Sequence, residues 1–283
     1  MEVGVGLPNA VPGASPAMLT EWARRADEGP FSSLGVVDRV RYESFDPMTS
    51  LAVAAAVTSR VKLTTMVLIA PLRTPAVLAK EAATLDAVSG GRLVLGLGLG
   101  ARRDDYAATG TSFRGRGAAL SHRLETLRAV WEDELAGPSP ARPPGPTILV
   151  GGGSDASFAR VARYADGYVH GGGPPRAFAR AAEKARAAWF DAGRPGEPLL
   201  WGQGYFALGD RDAVERGRAY MRDYYAFTGS FSERIAEQML ATPQAVVSFV
   251  KGYADAGCDE VVLFPAVADA AQLDLLAEAV SVL

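Results

Sequence analysis

The chain reads as an α/β protein of the (β/α)8 TIM-barrel class, and three observations predict it. Eight short apolar runs alternate with helical patterns along 283 residues, the arrangement that closes parallel strands with a helix after each. The stretch Arg60–Tyr106 shows one such unit in full: a β-branched run, a proline-broken loop, a helix, a glycine stop, a second strand and a glycine-rich loop. Joining its strands in parallel takes a right-handed crossover. The first strand-to-helix turn, VGLPNAVPG, carries two prolines and lacks the G-x-G-x-x-G spacing of an open dinucleotide-binding sheet.

The strands are predicted at Val3–Leu7, Leu34–Asp38, Lys62–Ile69, Leu93–Leu97, Thr147–Val150, Gly167–His170, Leu199–Ala207 and Glu260–Phe264. Each is a β-branched or apolar run short enough for one buried strand. Helices are predicted at Ala17–Glu28, Pro47–Thr58, Pro75–Val88, Gly117–Glu134, Ser154–Ala165, Pro175–Ala192, Ala213–Lys251 in more than one piece, and Ala268–Val282. They are built mainly of Ala, Arg, Leu and Glu, which form helices well. Ser89-Gly90-Gly91 stops the third helix with residues that tolerate left-handed backbone. The loop Gly137–Pro146 is a proline-rich connection into the fifth strand. Tyr205–Gly252 holds an aromatic centre, Tyr220, Tyr224, Tyr225, Phe227 and Phe231, that suits either an insertion near the barrel mouth or a dimer surface.

Composition narrows the function classes. A chain of 283 residues can bury one large core, so a single barrel domain over 1–283 is expected. Hydrophobic residues make up 48% and charged residues 22%, ordinary for a soluble globular protein. A net charge of −3 offers no global attraction to nucleic acid or an acidic membrane. The one cysteine, Cys258, cannot close an intramolecular disulfide, and the N-terminus carries no charged leader or long apolar stretch. A cytoplasmic location is the expectation. No serine lies in G-x-S-x-G, no His/Cys/Asp cluster suggests a metal, and the Arg/Ala helix Arg176–Arg186 reads as a solvated outer face.

In a barrel the chemistry sits at the C-terminal strand ends. Gly151-Gly152-Gly153-Ser154, with Ser157 three residues on, is the best anion-site candidate there. Glycines let backbone N–H groups approach a phosphate, Ser154 can cap the next helix, and the helix dipole favours negative charge. A plain helix cap after a tight turn is the alternative. Asp38 ends the second strand, where it can act as a carboxylate or merely cap the next turn or pair with Arg41. His170 ends the sixth strand before Gly171-Gly172-Gly173, where it can donate to a ligand, shuttle a proton or be satisfied by backbone.

Several blocks resemble the bacterial luciferase-like family of flavin- and deazaflavin-dependent oxidoreductases. They are LRTPAVLAKEAATLDAVSGGRLVLGLGLG, the following Asp104-Asp105-Tyr106-x-x-x-Gly110, Arg114-Gly115-Arg116, ILVGGGSDASFARVARYADGYV and AGCDEVVLFP. Their order and spacing over most of the chain carry the likeness. The resemblance implies that Ser154 and Ser157, with Gly152 and Gly153, hold a cofactor phosphate. It implies further contacts from Leu99, Gly100, Ala101 and Arg102 or Arg103, unless those arginines pair with Asp104 and Asp105. Thr65, Met66 and Val67 would line the cofactor, with a cis Met66–Val67 peptide behind its tricyclic ring. Relatives often follow the acidic residue at position 38 with histidine; Arg39 stands there instead. The candidate catalytic residues are Asp38, by the resemblance, and His170, by its place at a strand end, and no metal is expected. The expected activity is an FMN-dependent oxidoreductase of monooxygenase type acting on a small organic substrate. A separate flavin reductase and homodimerisation are further expectations. Coenzyme F420-dependent hydride transfer and a non-catalytic flavin-binding barrel are the alternatives. A phosphosugar-type lyase would need a lysine or paired carboxylates at the strand ends, which carry neither.

Overall fold

A computed structural model describes residues 1–132 and 137–283. Its parallel strands run β1 Glu2–Gly6, β2 Ser33–Val36, β3 Lys62–Thr65, β4 Leu68–Ile69, β5 Leu93–Gly98, β6 Thr147–Gly151, β7 Gly167–Val169, β8 Leu199–Phe206 and β9 Glu260–Pro265. They join in the order β3-β2-β1-β9-β8-β7-β6-β5-β4, and β3 also pairs with β5, which closes the barrel. The predicted strand Lys62–Ile69 is split: β3 and β4 are two halves of one barrel position, separated by Met66 and Val67. Eight strand positions result, as the alternation predicts.

The helices are α1 Pro16–Glu28, α2 Pro47–Val57, α3 Pro75–Ser89, α4 Arg103–Ala108, α5 Arg116–Glu132, α6 Asp155–Tyr164, α7 Pro175–Asp191, α8 Arg211–Tyr224, α9 Phe231–Glu237, α10 Pro243–Asp255 and α11 Ala271–Val280. Ser15, Asp46, Ser154, Asp210 and Thr242 each cap a helix by accepting a backbone N–H, worth about 1 kcal/mol apiece. Gly90 ends α3 in the left-handed region at φ 71°. The last two residues predicted for the Gly117–Glu134 helix lie outside the described residues. The short α4 is absent from the sequence reading because its polar run, RDDYAA, has no apolar period.

Side chains alternate along each strand. Leu34, Val36, Leu63, Leu95, Ile148 and Tyr168 face the helices, while Val37, Val94, Leu149, Val169, Trp201, Val262 and Phe264 belong to the second, internal cluster. Phe264 fits because β1 and β2 leave it room. A Cβ on Gly6 would lie 2.2 Å from its ring and one on Gly35 would lie 2.9 Å away. At the N-terminal end, Lys62 bridges Glu2 and the buried Glu260, and Ser32 donates to Glu260 at 2.6 Å. That end is tied by ion pairs; the opposite end carries the glycine loops. Among the described residues no helix is long and apolar enough to cross a membrane.

Candidate functional site

Parallel pairing sets Gly151 at the end of β6 beside Val169 at the end of β7. Two glycine loops, Gly151–Gly153 and Gly171–Gly173, therefore leave adjacent strand ends. Gly152 sits at φ 133°, and a Cβ there would lie 2.4 Å from Ser157 Oγ. Ser154 caps α6: its Oγ accepts the Ser157 N–H at 3.3 Å and lies 3.0 Å from Ser157 Oγ. Gly152, Gly153 and Ser154 are exposed and Ser157 is buried, so the turn is open to solvent on one side and braced on the other. Asp155, which would repel an anion, pairs with Lys184 at 3.1 Å. The first turn of α7 begins Pro174-Pro175 and offers fewer backbone donors. Of the two helix starts, that of α6 leaves more backbone donors free of proline.

Near that turn, with one strand between, the Met66–Val67 peptide is cis, as the resemblance implies. The bulge pushes Val67 toward three glycines; Cβ atoms on Gly98, Gly151 and Gly96 would lie 2.5, 3.3 and 3.4 Å from its methyl groups. Val67 remains partly exposed. Thr65 and Met66 differ from expectation. Thr65 is fully buried and donates its hydroxyl to the Gly96 carbonyl at 2.7 Å, and Met66 is 4% exposed. Both back the bulge and have no open face for a ligand. Leu99 and Gly100 are half-buried and Ala101 is exposed beside them. Gly100 lies at φ 65°, pressed against Ile69.

Asp38 does not face the interior. It accepts from the Ile69 N–H at 2.8 Å and from Arg73 Nη1 at 2.7 Å, and Arg73 also reaches Asp46 at 3.1 Å. The carboxylate thus ties β2 to the backbone just past the bulge, pairing with Arg73 where the sequence suggested Arg41. Burial raises its pKa against the lowering pull of Arg73, and Oδ1 has no partner. Its geometry is that of a positioning group.

Arg39 is the larger surprise. Its Nε pairs with Asp105 at 2.9 Å and Nη2 with Asp104 at 3.1 Å, so these aspartates do not serve Arg102 or Arg103. Asp105 also accepts the Val40 and Arg41 N–H groups at 2.9 and 2.7 Å. Where the resemblance led to the expectation of a histidine, this chain has a buried cation bound on two sides. Arg102 is likewise engaged: it donates to the Tyr224 carbonyl at 2.8 Å and lies 4.4 and 4.3 Å from the Tyr224 and Phe227 rings. Tyr224 meets Tyr42 edge-on at 5.3 Å, and Tyr225 hydroxyl reaches Tyr205 at 3.3 Å. The aromatic segment after α8 is therefore a roof over the mouth, held by two guanidinium groups. Sequence reading missed these arginine–aromatic contacts because their partners lie 122 or more residues apart.

His170 also turns away from the barrel interior, against expectation. Its ring packs on Phe178 at 5.9 Å, and Nδ1 lies 3.1 Å from the Tyr168 hydroxyl. Burial pushes the Tyr168 phenol up to about 12, so at neutral pH it keeps its proton and shares a hydrogen bond with Nδ1 whose direction follows the imidazole tautomer. Nε2 is buried and without a partner. Burial lowers the imidazole pKa below 6.5. The unfolded chain takes up this proton first, so stability present above about pH 6.5 is lost as pH falls through the lower folded value. His170→Gln is expected to lose less Tm than the parent between pH 7.5 and pH 5. Equal losses by calorimetry would refute the assignment.

Among the described residues no group of three His, Cys, Asp or Glu side chains could hold a metal. The fold and site define a class: a (β/α)8 barrel whose C-terminal rim sets a glycine–serine turn beside an inward bulge. The chain belongs to the luciferase-like monooxygenase family, whose profile matches residues 1–260. It is similar to the pyrimidine monooxygenase RutA of Variovorax paradoxus, 35% identical over 174 residues, 54% of this chain and 45% of that one. The chain spans about half the length of the curated relatives it matches. The crystal structure of the monooxygenase RslO1 from Streptomyces bottropensis superposes with a TM-score of 0.82 at 25% identity, covering 99% of both chains. The F420-dependent tetrahydromethanopterin reductase of Methanopyrus kandleri shares the fold at a TM-score of 0.76 and 19% identity, covering 99% of this chain and 98% of that one.

Proposed function

We propose that this chain is a flavin-dependent oxidoreductase of monooxygenase type, using FMN on a small organic substrate. The observation that carries the reading is the pair of glycine loops with the Ser154–Ser157 contact, on the same rim as the partly exposed Val67 bulge. The cradle fits a phosphate: backbone approach is open at Gly152 and Gly153, and both donor types are in place. Ser154 and Ser157 would hold that phosphate, Leu99, Gly100 and Ala101 would flank the chain leading from it, and Val67 would back the ring. When bound, the ring supplies the redox chemistry.

The protein's part is positioning and exclusion of water. Asp38 and Arg73 hold the backbone beyond the bulge, and Tyr224, with Arg39 and Arg102, covers the mouth. None of these mouth residues is a free base, which supports reading their part as positioning and cover. The monooxygenase names of two relatives and the arginine at position 39 favour FMN, delivered reduced by a separate reductase. The deazaflavin F420 is the second reading, favoured by the arginine patch described below. Titration with FMN and with F420, followed by fluorescence, tests the assignment. Micromolar binding of FMN supports it, binding of F420 alone moves it to the second reading, and binding of neither leaves an inert barrel.

One barrel over 1–283 in a reducing cytoplasm, with Cys258 free and buried, completes the proposal. A second copy is assigned to the groove of about 500 Å³ between α2 and α3. Val77 and Val88 are 54% and 65% exposed there, and adjacent Lys80 and Glu81 allow a two-fold copy to pair opposite charges. Val77→Glu with Val88→Glu is expected to halve the mass seen by light scattering. A monomeric parent would remove this part.

A further inference from the structure

Arginines crowd one sector of the rim without acidic partners. Among the described residues, Arg103, Arg114, Arg116 and Arg160 have no carboxylate within 4.0 Å, although eight other arginines do. Arg103 and Arg116 both pack on Phe113, at 4.4 and 3.7 Å from its centroid. Arg116 donates to the Phe113 carbonyl at 3.1 Å through Nη1, while its buried Nε has no partner. Arg160 reaches Ser121 at 3.0 Å and passes so close to Gly117 that a Cβ there would lie 2.8 Å from Nη2. The nearby acids are paired elsewhere: Asp104 and Asp105 with Arg39, and Asp155 at the start of α6 with Lys184. Phe113 and the helix ends thus hold a set of guanidinium groups with no anion of their own.

Their place relative to the cradle gives the patch its meaning. Ser154 and Arg160 lie on the same helix, about 9 Å apart along its axis at ~1.5 Å per residue. Arg160 in turn touches the start of α5, where Arg116 stands. The patch therefore continues outward from the cradle over α5 and α6, away from the internal cluster of Val67, Tyr205 and Phe264. A substrate under the aromatic roof would not meet it.

We propose that Arg103, Arg114, Arg116 and Arg160 bind an anionic chain that extends from the cofactor's phosphate, as oligocarboxylate or second phosphate. This rests on the cradle holding the cofactor phosphate. Guanidinium groups accept either anion in paired hydrogen bonds. A cofactor ending at its first phosphate leaves these charges unused. One carrying a glutamate chain, or the pyrophosphate of FAD, engages them.

The test compares cofactors that differ only beyond the first phosphate: F420 with a long oligoglutamate against its form without glutamates, and FAD against FMN. At low salt the longer member of one pair should bind about tenfold more tightly, and the ratio should shrink at about 0.5 M NaCl as screening sets in. Arg114→Gln with Arg116→Gln should bring the ratio near one and leave the shorter form's Kd unchanged. Arg114→Glu, at an exposed position, should do the same in part if the double variant folds poorly. The pair that responds tells carboxylate from phosphate. Ratios near one in the parent protein overturn this inference alone, as does a variant that weakens both forms equally. Failure of all four to bind overturns the cradle reading together with it.

Discussion

Gly152→Ala is expected to weaken cofactor binding by about a hundredfold, roughly 2.7 kcal/mol, while the barrel still folds. Gly152 sits at φ 133°, where an L side chain is strained, and its new Cβ would fall 2.4 Å from Ser157 Oγ and 2.9 Å from Ser157 Cβ. Either the loop moves or Ser157 does. Both disturb the Ser154–Ser157 contact and the backbone N–H groups aimed at the anion. Charge-assisted hydrogen bonds contribute about 1.5–3 kcal/mol each, so losing one or two suffices. Gly152 itself is exposed at the rim, so the fold should suffer only the local strain, about 1–2 kcal/mol. Ser154→Ala is the milder control, removing one cap and one hydroxyl. The comparison is a cofactor titration beside a thermal melt. A Gly152→Ala protein that binds within about threefold of the parent would mean the glycine turn is only a helix start.

Arg39→Ala carries the largest expected stability loss, about 3–5 kcal/mol, or roughly 10 °C in Tm for a chain of this size. Its guanidinium is 5% exposed and the Asp105 carboxylate 1%. Removing the cation strands a buried charge that still serves the Val40 and Arg41 N–H groups. The Tyr42 and Tyr224 rings, 5.0 and 5.6 Å from the guanidinium, lose their partner as well, which should loosen the roof. Arg39→Lys keeps the charge but not the fork, so it should fall between. Replacing both Arg39 and Asp105 with leucine should recover only part of the loss, because two backbone donors then lack an acceptor. A cost below about 1 kcal/mol for Arg39→Ala, by denaturant melts, would show that water or another group neutralises Asp105.

How much of this was legible in the chain follows from the range of the interactions involved. Strand positions and helix boundaries were readable within a few residues because apolar periodicity, proline and capping residues act locally. Ser154 and the glycine triplet were readable for the same reason: cap and turn lie within four residues. Asp38 and His170 were correctly placed at strand ends, yet both point toward the helix layer. A strand end sets position along the axis, whereas the pleat decides inside from outside. Thr65 was assigned to the ligand but lies against the Gly96 carbonyl of a neighbouring strand. Arg39 looked like a lost histidine; its partners Asp104 and Asp105 come from a separate helix.

By itself the amino-acid order determined the barrel, its eight strand positions, the capped glycine turn and the family to which the chain belongs. These rest on local backbone preference and on the burial demanded by alternating apolar runs. Only the tertiary structure decided which polar groups are spent on the fold and which are left for a ligand. Barrel closure brings residues 31 to 122 positions apart within hydrogen-bond reach, occupying Asp38, Arg39, Thr65 and Arg102. The same closure leaves His170 Nε2 without a partner and, among the described residues, four arginines near Phe113 without acidic partners.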